Sequence, residues 1–62
     1  MKLFEMRFLD KFDIVIAIRA FEGPDDGAAA MEAERYARTH TIDVWEGPRW
    51  VMRVPRRAPE AR

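Results

Sequence analysis

A chain of 62 residues with zero formal charge, no cysteine and a single histidine has room for one small core and no second domain. Disulfide staples are excluded and a histidine-based metal site with them, so self-association is the remedy left open to a core this small. Serine, asparagine and glutamine are absent as well, which rules out a Ser or Cys nucleophile and leaves His40 as the only imidazole for acid-base work.

The zero charge hides an asymmetry. Residues 1–48 carry six basic and ten acidic side chains, a balance of −4, whereas residues 49–62 carry five arginines against Glu60, a balance of +4. The pattern is a basic end on an acidic body. The N-terminal MKLFEMRF is interrupted by Glu5 and Arg7 where a signal peptide needs an unbroken apolar run. The longest apolar run, residues 14–18, is five residues long, far short of the roughly 20 that cross a bilayer. The expectation is a soluble cytoplasmic protein.

From Lys2 to Leu9 the chain alternates, with Phe4, Met6 and Phe8 on one side and Leu3, Glu5, Arg7 and Leu9 on the other. That is a strand with one apolar and one mixed face. A polar break, Asp10-Lys11-Phe12-Asp13, precedes a second strand in which Ile14, Ile16 and Ile18 alternate with Val15, Ala17 and Arg19. So short a connection makes an antiparallel hairpin, though the break contains no glycine and its turn type stays open.

Phe21-Glu22-Gly23-Pro24 ends the hairpin, and Asp25 or Asp26 supplies a helix N-cap. Alanines, glutamates and arginines then predict a helix from Asp26 to about Thr39. At helical spacing Ala29, Ala33, Tyr36, Ala37 and His40 share a face of mostly small side chains. Such a face lies close against a sheet, while Met31 points away from it.

Thr41 to Trp45 and Arg49 to Val54 read as two further strands around Glu46-Gly47-Pro48. Pro48 lacks the N–H that would close a two-residue turn, which favours a longer loop. An even-length loop of either size sets Trp45 across from Trp50. It places Ile42, Val44 and Val51 on one face, and Trp45, Trp50, Met52, Val54 and Asp43 on the other. Residues 55–62, with two prolines and no apolar periodicity, read as a disordered basic tail.

The organisation is therefore one α+β domain over residues 1–54, ββαββ. A helical crossover runs strands 2 and 3 in the same direction, and strand 1 between them makes every neighbour antiparallel. The predicted order is 2-1-3-4, a four-stranded antiparallel sheet with one helix packed on one face.

The order and spacing of these pieces resemble short uncharacterised proteins of alphaproteobacteria, of rhizobial type. The resemblance rests on Leu9-Asp10, Ile14-Val15-Ile16, Asp25-Asp26 with Ala29 and Ala33, and the closing Ile42-Asp43-Val44-Trp45-Glu46-Gly47-Pro48-Arg49, against a hairpin of the form Val-Glu-Val-Trp-x-Gly-x-Arg. It spans about Phe4 to Val54, with Pro48 and Trp50 as departures. What it implies is a small soluble protein of unknown function, with no activity or functional residues to carry over.

One helix covers one face of a sheet, so the other face is solvated or meets a partner. On the sequence reading that second face carries Leu3, Leu9, Val15, Ala17, Trp45, Trp50 and Met52, with Glu5, Arg7, Arg19 and Asp43 among them. An apolar patch with a polar rim of this kind marks an interaction site. The expected function is a non-enzymatic module that forms a homodimer or binds a protein partner through Trp45, Trp50, Met52, Leu3, Val15 and Arg7. The alternative is single-stranded nucleic-acid binding, with Arg49, Arg53, Arg56 and Arg57 on phosphates and Trp45 and Trp50 stacking bases. His40 reads as a helix-end packing residue and Asp25-Asp26 as capping groups. No catalytic residue, cofactor, metal or membrane partner is expected.

Overall fold

The structure, a computed structural model, describes residues 1–57. Its elements in chain order are β1 (Lys2–Leu9), β2 (Val15–Gly23), α1 (Asp26–Tyr36), β3 (Thr41–Glu46) and β4 (Arg49–Val54). All neighbours pair antiparallel in the order β2-β1-β3-β4, as the connectivity predicts. β1, apolar enough on both faces to be central, is flanked on both sides.

The β1–β2 turn solves its lack of glycine with two aspartates. The Asp10 carboxylate accepts hydrogen bonds from the N–H groups of Phe12 and Ile14 at 2.8 and 3.0 Å, and Asp13 takes the left-handed conformation at φ 63°. Asp is among the few L residues that tolerate that region. At the other end of β2, a Cβ on Gly23 would stand 2.6 Å from the Phe21 ring and 3.3 Å from Ala28 Cβ. Glycine therefore lets the ring and the first helical turn close over the strand end.

Asp25 is the N-cap, its carboxylate accepting from Ala28 N–H at 2.8 Å. The helix is shorter than its composition suggests, because Ala37 N–H already bonds to Glu34 O in a tightened last turn. Its alanine face behaves as expected: Ala29, Ala33 and Ala37 are wholly buried against Phe4, Met6, Ile42 and Val44. Phe8 and Tyr36 close one end edge-to-face at 5.5 Å, with His40 at 6.0 Å from Phe8 in a packing role.

Two bulges alter the faces that alternation assigns. Glu46 pairs with Arg49, so the β3–β4 loop has two residues rather than four, with Gly47 at φ 58°. Trp45 then pairs with Trp50, but Val44 pairs with Met52 and Ile42 with Val54. Val51 is the extra residue, and past it the parity of β4 is reversed. Met52 and Val54, placed on the open face by alternation, instead pack into the core under the helix.

The second bulge sets both Val15 and Ile16 against Leu9. Ala17 and Arg19 consequently pair with Phe8 and Met6 on the helix side, and Ile18 and Ala20 turn to the open side with Arg7 and Glu5. Arg19 extends along the helix side with its guanidinium 5.2 Å from the Tyr36 ring centroid. Strict alternation, which knows nothing of the bulge, places Ala17 and Arg19 on the other face.

Of the expected tail, residues 58–62 lie outside the described residues. The preceding residues run back along the body: Arg56 N–H bonds to Thr41 Oγ1 at 3.0 Å, and Arg57 N–H to Ala37 O at 2.8 Å.

Candidate interaction surface

The face of the sheet away from the helix is a grid fixed by register. Glu5 lies between Ala20 and Trp45, Arg7 between Ile18 and Asp43, and Leu9 between Val15 and Thr41. Trp50 completes the row beside Trp45 and Arg53 the row beside Asp43. Leu3, Val15, Arg7, Trp45 and Trp50 thus share this face as the sequence suggests, while Met52 does not. Ile16, Ile18 and Ala20 were missed because a bulge leaves no mark in a period-two pattern.

Exposure is uneven across the grid. Leu3 is 61% exposed, Ile18 59% and Trp50 52%, whereas Leu9 is buried. Trp45 is half-buried, capped by the Arg7 guanidinium at 4.6 Å from its ring centroid. Its indole N–H is enclosed without a hydrogen-bond partner. Between β1 and β2 the surface dips into a depression of about 320 Å³ lined by Leu3, Glu5, Arg7, Ile18 and Ala20.

The two arginines on this face are matched by carboxylates beside them, while Glu22, opposite Leu3, is exposed. Arg7 Nε meets Glu5 Oε1 at 2.6 Å. Arg53 grips Asp43 with two hydrogen bonds of 2.7 and 3.0 Å and reaches Asp13 at 3.7 Å. That last contact spans from the β1–β2 turn to β4. The hydrogen bonds from Arg53 hold the Asp43 carboxyl below its ordinary value; burial opposes this, and the Trp50 indole adds to it.

The arginines proposed for phosphate contact do not gather into one surface. Arg49 bridges Asp26 at 2.8 Å and Glu46 at 2.6 Å, tying the first helical turn to the β3–β4 loop. Hydrogen bonding to Arg49 lowers the Asp26 pKa, and the two carboxylates raise that of Arg49. Arg53 is held on the open face by Asp43, and Arg57 meets Glu34 at 2.5 Å beside the helix. Arg56 is exposed at the far end of β3. Arginines already neutralised by carboxylates release few counterions on meeting a polyanion, so the geometry weighs against the nucleic-acid alternative.

Among the described residues no group of three or more His, Cys, Asp or Glu side chains is placed to hold a metal ion. No described helix is long and apolar enough to cross a membrane. No family model, curated protein or solved structure matches this chain.

Proposed function

We propose that this chain is a non-enzymatic, cytoplasmic interaction module that docks a protein surface, a second copy of itself first, on the open face of its sheet. One observation carries the reading. Leu3, Ile18 and Trp50 are left exposed on that face, while Arg7 and Arg53 are satisfied by Glu5 and Asp43. Such a face asks for apolar cover and no compensating charge. Leu3, Arg7, Val15, Trp45 and Trp50 are its contact residues, with Trp50 the anchor, since large aromatics dominate interface energetics. The resemblance to alphaproteobacterial proteins of rhizobial type adds no activity to this reading.

Sedimentation over a micromolar concentration series, with acrylamide quenching of tryptophan emission, tests it. Association that grows with concentration, shields Trp50 and is abolished by Trp50→Glu is the expected result. A chain that stays monomeric, with Trp50 equally open to quencher throughout, overturns self-association on this face.

A further inference from the structure

The two edges of the sheet are treated differently. β4 is guarded in several of the ways that prevent edge-to-edge pairing. It is short, begins after Pro48 and ends before Pro55, is kinked by the Val51 bulge, and carries Arg49 and Arg53. β2 has fewer such guards: a bulge at Ile16 near its start, Arg19 and Glu22, with no proline at either end of its exposed stretch. Its nine residues contain no proline and no lysine, and among the described residues no strand lies beside its outer backbone donors and acceptors. Val15, Ile16 and Ile18 along it, and Ile14 just before it, are 44% to 59% exposed. The helix shields Phe21 and Gly23 at its C-terminal end and leaves the rest uncovered.

We propose that β2 pairs antiparallel with β2 of a second copy about a two-fold axis at Ile18, joining the two sheets into one of eight strands. Backbone hydrogen bonds supply the attraction and the side chains select the register. An axis at Arg19 would set two guanidinium groups directly opposite each other, which is repulsive. An axis at Ala20 would need Gly23, which is buried, and would leave residues 14–16 unpaired. An axis at Ala17 would put the bulged Ile16 beside the axis on both strands. The axis at Ile18 opposes Ile18 to its own copy, Arg19 to Ala17, and the bulged Ile16 to the small Ala20, and regular pairing ends at that bulge.

Pairing stops at two copies, because among the described residues the other edge of the sheet is the guarded β4. A single strand edge buries less than the roughly 800 Å² per partner of a standard interface, so the association is weak and visible at micromolar concentration or above. It is independent of docking on the open face, which stays uncovered on both copies.

The absence of cysteine in this chain makes a direct test available. Opposed residues of an antiparallel pair have Cα atoms about 4.5 to 5.5 Å apart, within the disulfide range of roughly 4.4 to 6.8 Å. Residue 20 lies four positions from its own copy in this register, about 14 Å along the strand. Ile18→Cys under mild oxidation should form a reductant-sensitive covalent dimer at least roughly tenfold faster than Ala20→Cys, and a mixture of Ile16→Cys with Ala20→Cys should cross-link heterotypically. Circular dichroism of each variant verifies folding, which the exposure of these sites favours. Equal cross-linking of Ile18→Cys and Ala20→Cys, or none in either, overturns the proposal. Sedimentation separates the two surfaces: Ala17→Lys, on the helix side of the sheet, sets a second cation opposite Arg19 of the other copy, so the edge dimer is lost with it and survives Trp50→Glu, whereas face association behaves the opposite way.

Discussion

Substituting Met52 and Trp50 separately by alanine asks whether the Val51 bulge sets the parity of β4. In a regular ladder the two side chains would share the open face and be comparably dispensable. In the structure Met52 packs beneath the helix beside Val44, and Trp50 stands 52% exposed. Truncating a buried methionine to alanine costs about 2 to 5 kcal/mol; Met52 is partly buried, which puts Met52→Ala near the lower end, about 2 kcal/mol. Trp50→Ala forfeits a cross-strand aromatic pair, up to about 1 kcal/mol. At roughly 4 to 8 °C per kcal/mol for a domain of this size, the expected falls in melting temperature are about 8 to 16 °C for Met52 and at most about 8 °C for Trp50. A core this small supplies only about 3 to 5 kcal/mol in all, so Met52→Ala unfolds a detectable fraction at ambient temperature. Far-ultraviolet dichroism during urea and thermal unfolding is the suitable probe, since one variant removes a tryptophan. The reasoning fails if Met52→Ala lies within about 0.5 kcal/mol of the parent, or if Trp50→Ala is the more damaging change.

Asp25→Ala removes the acceptor that caps the helix at Ala28 N–H and should lower stability by about 1 kcal/mol. Asp25→Asn should restore most of the loss in the same unfolding assay. The Asp43–Arg53 pair predicts an acid limb to the stability profile. With the folded carboxyl depressed below its unfolded value of 3.8, the folded state binds fewer protons than the unfolded one. The pair's contribution is complete above 3.8 and is lost as pH falls through the depressed folded value. Urea midpoints measured down this range should decline less steeply in Asp43→Asn than in the parent, and parallel declines would contradict the assignment.

Connectivity and composition carry most of the architecture. The short β1–β2 break, the Asp25 cap, the Ala29, Ala33 and Ala37 stripe and the helical crossover lead to the order 2-1-3-4 without reference to coordinates. They do so because antiparallel neighbours and short connections leave few other arrangements. The pairing of Trp45 with Trp50 was equally legible from loop parity. Face assignments beyond Trp50 in β4 and beyond Val15 in β2 were not. A bulge adds one residue without altering composition, so Met52, Val54, Ala17 and Arg19 each read plausibly on the wrong side. Arg19 misled for a second reason, since its charge suggests solvent while its stem and guanidinium lie along Tyr36. The internal pairing of Arg49, Arg53 and Arg57 could not be read from a charge count, because their partners Asp26, Asp43 and Glu34 lie ten to twenty-three positions away.

Those same pairings divide the molecule mechanically. Arg49 fastens the start of the helix to the β3–β4 loop through Asp26 and Glu46, and Arg57 fastens its end through Glu34 and the Ala37 carbonyl. Helix, β3 and β4 are laced into one block, with β1 as its floor. β2 has a strand on one side, and the helix meets it at Gly23, Phe21 and Arg19, so local opening that begins at its N-terminal end leaves the block intact. The strand proposed to pair with a second copy thus begins in the segment whose movement disturbs the rest least, and a partner there could reshape it without loosening the core.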